Sequence, residues 1–225
     1  MTVPLIIKLL RSLVKPGRKN QSNLPFDYPE ERLGLSKQSI KELAKELEPS
    51  RSIAEQLWNA GLYEAKLLSV WIDEPDQITS DALDQHAQDA YTKELALHFA
   101  QHLVSKTPFL LEKTNTWTQM GADKSVRRVG YLCAAQLAKK SKVLDNNYFE
   151  KHLTIIENNF GFAKPITREG QIEAVLSIGS RNKVLNEKSI DLSKKLLQKH
   201  RFVPDLLEQM VRVSAALSSD KVQRW

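Results

Sequence analysis

The stretch from Ser36 to Gly61, SKQSIKELAKELEPSRSIAEQLWNAG, decides the fold class. In its first half Ile40, Leu43, Ala44 and Leu47 fall at i, i+3, i+4 and i+7, which brings them to one face of a helix. Ser36 stands where its hydroxyl can accept from amides of the first turn, which have no partner inside the helix. Ala54, Leu57 and Trp58 repeat the spacing, and Gly61 can end that helix in the left-handed conformation.

Outward from this stretch the pattern continues. Leu62 to Ile72 reads as a short helix, and Ser80 caps a longer run to about Lys106, with a break near Asp89 and an end at Pro108. Phe109 to Met120 is helical and closed by Gly121. Val126, Val129, Cys133 and Leu137 stripe the next helix. Asp145 caps a helix that carries Phe149, Leu153 and Ile156 and ends near Asn158 and Asn159. Pro165 marks a loop, and Thr167 caps a helix to Gly179. Helices over Glu187–Lys199 and Pro204–Leu217 follow, and Ser218–Trp225 reads as a frayed tail. No segment alternates with a period of two, so the chain reads as all-α. Helix-pair boundaries near 36, 80, 121 and 166 approach the roughly 40-residue spacing of helical repeats. The expected architecture is a curved stack of helical pairs with a concave face. Residues 1–32 form a basic N-terminal helix and linker packing on the repeats, 33–217 the repeat domain and 218–225 the tail.

Composition narrows the function. With 41% apolar and 27% charged residues among 225, the chain can bury a core and stay in water. Its single cysteine, Cys133, cannot form an internal disulfide and reads as a small buried hydrophobe. In Met1–Val14, Lys8 and Arg11 interrupt an apolar run too short to span a membrane, and no cleavage site follows. A cytoplasmic location is the expectation, with a monomer as the default for this architecture. The net charge of +6 suits a polyanionic partner. Basic residues gather in three groups: Lys8, Arg11, Lys15, Arg18 and Lys19; Lys124, Arg127, Arg128, Lys139, Lys140 and Lys142; and a third from Arg181 to Arg201.

Motifs for other chemistries are missing. There is no GxGxxG, GxxxxGK or GxSxG, so nothing supports nucleotide binding or a serine hydrolase. His98 and His102 share a helix face at i, i+4, but no third ligand stands at a recognisable spacing, so they read as structural and no metal or cofactor is expected. Trp58 and Trp71 lie on apolar stripes and read as core, whereas Trp117 could be core or surface. Ile178-Gly179-Ser180-Arg181-Asn182 reads equally as a close helix contact with a polar end or as a phosphate contact through Arg181.

Five segments, in order, together resemble the HEAT-like-repeat DNA alkylation repair family. They are Leu33-Gly34-Leu35-Ser36 running into Ile40–Ala44, Leu57–Lys66 (LWNAGLYEAK), Leu103–Phe109 (LVSKTPF), Val126–Tyr131 (VRRVGY) and Ile178–Asn182 with Leu185-Asn186. They cover roughly residues 33 to 200. The resemblance implies a right-handed α-α superhelix of HEAT-like repeats whose basic concave face cradles duplex DNA, damaged or distorted. Active members look like monofunctional glycosylases that remove N3- or N7-alkylated purines. There an aspartate stabilises the developing sugar cation and positions water, two tryptophans face the cationic nucleotide, and an arginine anchors a phosphate. The matching positions here depart from that set. The Trp and Asp of the W-x-x-x-D pair fall on Lys93 and Leu97, and the later tryptophan on Glu173. The arginine is kept as Arg128, with Arg127 beside it. Lys124, Lys93, Arg168, Arg181 and Lys183 complete the cations expected to meet DNA. Three readings follow: a DNA-binding member with little or no glycosylase activity, an active alkylpurine glycosylase with a relocated acid, or a helical-repeat scaffold for a protein. Tyr91, Glu94 and Asp89 are the candidates for relocated chemistry, and a carboxylate beside Arg128, from Glu94, Asp89 or Glu173, is the feature that separates relocation from loss.

Overall fold

In the computed structural model, residues 1–14, 30–119, 121–200, 204–219 and 222–223 are described. Lys15, Arg18, Lys19, Met120 and Arg201, all invoked above, lie outside them. Among the described residues are twelve α-helices and no strand beyond an isolated bridge between Glu31 and Leu62. None of these helices is long and apolar enough to cross a membrane. The chain divides into two compact units, Met1–Ser80 and Asp81–Trp225.

The first unit holds α1 (Val3–Ser12), α2 (Lys37–Lys45), α3 (Arg51–Trp58) and α4 (Tyr63–Ile72). Ser36 accepts from the Ser39 amide at 3.1 Å, the cap expected from the sequence. Gly61 has φ +70°, the left-handed position that lets the chain leave α3 and turn into α4. α1 lays buried Ile6 and Leu10 on the α3–α4 pair. In α4, nine of ten residues are buried, Glu64 among them. Its carboxylate accepts from the amides of Leu33 (3.0 Å), Gly34 (2.7 Å) and Leu35 (3.3 Å), with Gly34 at φ 71°. A buried charge is tolerated only when hydrogen-bonded, and three amides supply that. Two of the segments quoted above, Leu33–Ser36 and Leu57–Lys66, are therefore two sides of one structural contact.

The second unit begins with α5 (Ser80–Asp89) and α6 (Lys93–His98), with the break at residues 90–92. Thr92 accepts from the Leu95 amide at 3.0 Å and starts α6. A π-helical turn (Phe99–Leu103) and a 3-10 turn (Val104–Lys106) lead to α7 (Leu110–Trp117), α8 (Lys124–Lys140) and α9 (Asn146–Asn159). A 3-10 turn at Phe160–Phe162 precedes α10 (Pro165–Gly179), α11 (Lys183–Lys199) and α12 (Pro204–Leu217). Asp145 accepts from the Tyr148 amide at 3.0 Å as the cap of α9.

The centre of this unit is α8, in which thirteen of seventeen residues are buried. The sequence shows one apolar stripe; small residues make the rest of the surface fit. A Cβ on Gly130 would lie 2.8 Å from the carbonyl carbon of Trp117 in α7. One on Gly170 of α10 would lie 2.6 Å from the Arg128 carbonyl oxygen. Tyr131, Phe149, Phe160, Ile178 and Leu185 fill the core around α8, α10 and α11. Cys133 is buried, and that burial pushes its thiol pKa far up.

Four boundaries differ from the sequence reading: Ser80 is the first residue of α5 rather than its cap, and three others lie further along the chain. Thr167 is not the cap of α10: Lys164 holds that position, Pro165 follows as the first helical residue, and the Thr167 hydroxyl donates to the Lys124 carbonyl at 3.0 Å. Proline suits the first turn because its fixed φ is helical and its missing N–H is not needed there. α11 starts at Lys183 rather than Glu187, because Asn182 accepts from the Leu185 amide at 3.0 Å. α7 stops at Trp117, short of Gly121. Of the tail, only 218, 219, 222 and 223 are described, and Val222 packs against the core.

Candidate nucleic-acid interface

Four helices of the second unit surround a cavity of about 560 Å³. Each contributes side chains at helical spacing: Lys93 and Leu97 from α6, Arg128 and Leu132 from α8, Glu169, Glu173 and Leu176 from α10, and Gln209, Arg212, Val213 and Ala216 from α12. Residues four apart on a helix face the same way, which is why pairs far apart in the chain meet here. The three positions matched to the family's Trp, Asp and Trp, namely Lys93, Leu97 and Glu173, thus share one cavity with Arg128.

Arg128 is the most enclosed of them, with its side chain only 3% exposed. It donates from Nη2 to the Tyr91 carbonyl at 2.7 Å and from Nη1 to Glu169 Oε2 at 3.2 Å. The guanidinium therefore ties α8 to the α5–α6 break and to α10 at once. Gly170 lets this happen, because the backbones of α8 and α10 approach too closely there for any side chain. Glu173, one turn beyond Glu169, accepts from Lys139 Nζ at 2.7 Å and from Ser177 Oγ at 3.4 Å. The cavity holds Lys93, Arg128 and Arg212 against Glu169 and Glu173, so its lining carries a cationic excess.

The other candidate residues are dispersed. Asp89 and Glu94 are exposed and Tyr91 is half-buried; none lines the cavity, although Tyr91 offers its carbonyl to Arg128. Lys124 and Lys183 are exposed first residues of α8 and α11, and Arg127 is half-buried on α8. Arg168 donates from Nε to the Phe160 carbonyl at 3.3 Å and lies over the Phe160 ring. Arg181 donates to the carbonyls of Ala138 (2.9 Å) and Leu144 (3.0 Å), 4.6 Å from the Phe149 ring centre. A Cβ on Gly179 would meet Leu217 and Ser189 at 2.6 and 2.8 Å. The Ile178–Asn182 segment is accordingly a close helix contact with a polar end.

The sequence reading did not single out Glu169. Its signal was its place four residues before Glu173, on the same face of α10. Trp117 is buried and donates from Nε1 to Asp84 Oδ1 at 2.7 Å, and Lys113 Nζ donates to both oxygens of that carboxylate at 2.8 and 2.7 Å. Trp58 is buried, with the Lys66 ammonium 5.2 Å from its ring centre, and Trp71 is half-buried. His98 and His102 stack with ring centres 5.3 Å apart. Among the described residues no three His, Cys, Asp or Glu side chains are grouped to hold a metal ion.

A family model described as DNA alkylation repair enzyme matches residues 6–201. The fold is similar to that of a solved protein described as belonging to a new family related to the HEAT-like repeat DNA glycosylases with affinity for branched DNA structures. The TM-score is 0.73 at 17% identity, over 87% of this chain and 83% of that one. At that identity the likeness is one of fold. No curated protein matches the chain in sequence.

Proposed function

This chain belongs to the DNA alkylation repair enzyme family, and we propose that it acts there as a DNA-binding protein with little or no glycosylase activity. The observation that carries this reading is the shared cavity of Lys93, Leu97, Glu173 and Arg128. The positions matched by sequence to the family's catalytic set come together in space, so the match is geometrically coherent. What they present is unsuited to the chemistry. Leu97 can neither stabilise an oxocarbenium ion nor orient water, and the Lys93 ammonium repels a developing cation. A cationic lining attracts phosphate instead. The structural relative's affinity for branched DNA makes a distorted or branched duplex the preferred ligand class.

A second reading keeps catalysis, and one observation favours it: two carboxylates, Glu169 and Glu173, line the same cavity. Each already has a cationic partner, in Arg128 and Lys139, which weakens its field at a reacting sugar. Tyr91, Glu94 and Asp89 lie outside the cavity lining and are the poorer candidates.

The test is excision of 7-methylguanine and 3-methyladenine from methylated duplex DNA, together with titration onto that DNA at low and moderate salt. Salt-sensitive binding without release supports the proposal, because phosphate contacts displace counterions. Base release would establish a relocated acid, and Glu173→Gln and Glu169→Gln would identify it. Neither binding nor release would overturn the DNA reading in favour of a protein scaffold.

A further inference from the structure

Beside the Arg128 cavity lies a second, more open cleft of about 820 Å³, at the C-terminal ends of α8 and α10 and the turn before α11. It shares Glu173 with the first. Lys139, Lys140 and Lys142 line it, each exposed, and Arg181 forms part of its wall. A helix C-terminus ordinarily repels an anion, because its last carbonyls point outward with no partner. Here Arg181 lies against that end, donating to the Ala138 carbonyl in the last turn of α8 and to the Leu144 carbonyl in the loop that follows. With the Ala138 carbonyl held in this way and a guanidinium placed over the last turn, the end of α8 gathers cations around a cleft.

The ammonium groups of Lys139 and Lys140 are held by weak partners. Lys140 donates to the Ser105 hydroxyl at 2.9 Å, a neutral acceptor. Lys139 pairs with Glu173 at 2.7 Å, but both side chains are open to water, at 48% and 35% exposure, so the pair contributes little to stability. Lys106 stands close enough to Lys140 for its charge, after burial, to lower the pKa of that ammonium, a mark of a locally positive field. By contrast Arg128, the phosphate anchor implied by the family resemblance, is enclosed and already donates to Tyr91 and Glu169.

We propose that this cleft is a subsite for the sugar–phosphate backbone of DNA, in which Lys139, Lys140 and Lys142 contact phosphate and Glu173 is the carboxylate that an incoming phosphate displaces from Lys139. The proposal rests on the DNA-binding reading above. A phosphate offers more acceptor oxygens than a carboxylate, and on binding it releases condensed counterions, so it competes well against an exposed ion pair. Displaced from Lys139, Glu173 is left to the Arg128 cavity alone, which couples backbone contact in one cleft to the negative charge of the other.

The test compares wild type, the triple variant Lys139→Gln/Lys140→Gln/Lys142→Gln, Glu173→Gln, and a control pair Lys188→Gln/Lys195→Gln on α11. The probes are an unmodified duplex and a four-way junction, over a range of salt, with thermal melting to establish that every variant is folded. The expected result is a fall of about 2 to 3 in the magnitude of the log affinity–log salt slope for the triple variant, at roughly 0.9 for each phosphate no longer neutralised. Glu173→Gln should bind several-fold tighter than wild type at low salt, and the control pair should behave as wild type. Equal losses in the triple variant and the control pair would overturn the subsite, since unlocalised charge would then explain binding. Binding by wild type with an unchanged slope in the triple variant would overturn it while leaving the DNA reading intact. No binding by wild type to either probe would overturn both.

Discussion

Arg128 and Lys139 lie on one face of α8, eleven residues and about three turns apart, and each faces a glutamate of α10. Arg128 is enclosed, with its guanidinium divided between a backbone carbonyl and Glu169, and it holds three elements together. Lys139 is half exposed, and the two pairs differ in the cation alone, since the carboxylates of both are reachable by water. Both pairs join a cation of α8 to a glutamate of α10, yet one cation is enclosed and the other open to solvent. Solvent makes the difference: in a dry site a lone charge costs several kcal/mol, whereas at the surface water replaces a missing partner at almost no cost.

This contrast can be broken most severely at Arg128. Arg128→Ala leaves the Tyr91 carbonyl and Glu169 without their donor, and should lower stability by about 3 kcal/mol in denaturant titration. A loss below about 1 kcal/mol would mean that water enters the cavity and that the enclosure is overstated. Gly170→Ala places a Cβ against the Arg128 carbonyl and should cost about 2 kcal/mol by prying α8 from α10, read as a lowered Tm. An unchanged Tm would show that the two helices can separate without loss.

His152 sharpens the comparison, because it is buried like Arg128 but can give up its charge. Burial lowers its pKa to about 4 from an ordinary 6.5. Between those values the unfolded chain takes up a proton that the folded chain refuses. The contribution of the neutral side chain is therefore intact above pH 6.5 and is lost as pH falls toward 4, at up to about 1.4 kcal/mol per pH unit. His152→Leu should flatten the stability curve in that window relative to wild type; parallel curves would refute the assignment. The smallest effect is expected at the open end of α8, where Lys139→Gln should change stability by less than about 0.5 kcal/mol. A larger loss would mark the Lys139–Glu173 pair as structural and count against its displacement by phosphate.

Much of the fold was legible because helix formation is local. The Ser36 and Asp145 caps, the left-handed Gly61 and the break before α6 each follow from a few neighbouring residues. Thr167 misled because Pro165, which reads as a loop, is also the best first residue of a helix. The candidate site was legible only as separate positions. Lys93, Leu97 and Glu173, picked out by their spacing from the motifs, line one cavity, but no local signal shows that Glu169 reaches Arg128 or that α12 supplies part of the cavity wall.

By itself, then, the sequence determined the helical class, most helix ends and the resemblance to its family, because these depend on residues close in the chain. The tertiary structure decided which cations are committed and which stay open. Arg128, Arg168 and Arg181 read in sequence as DNA contacts, yet each donates to a backbone carbonyl. A guanidinium has five donors and keeps its charge when buried, so packing sets whether it meets carbonyls from within the chain or phosphates from outside.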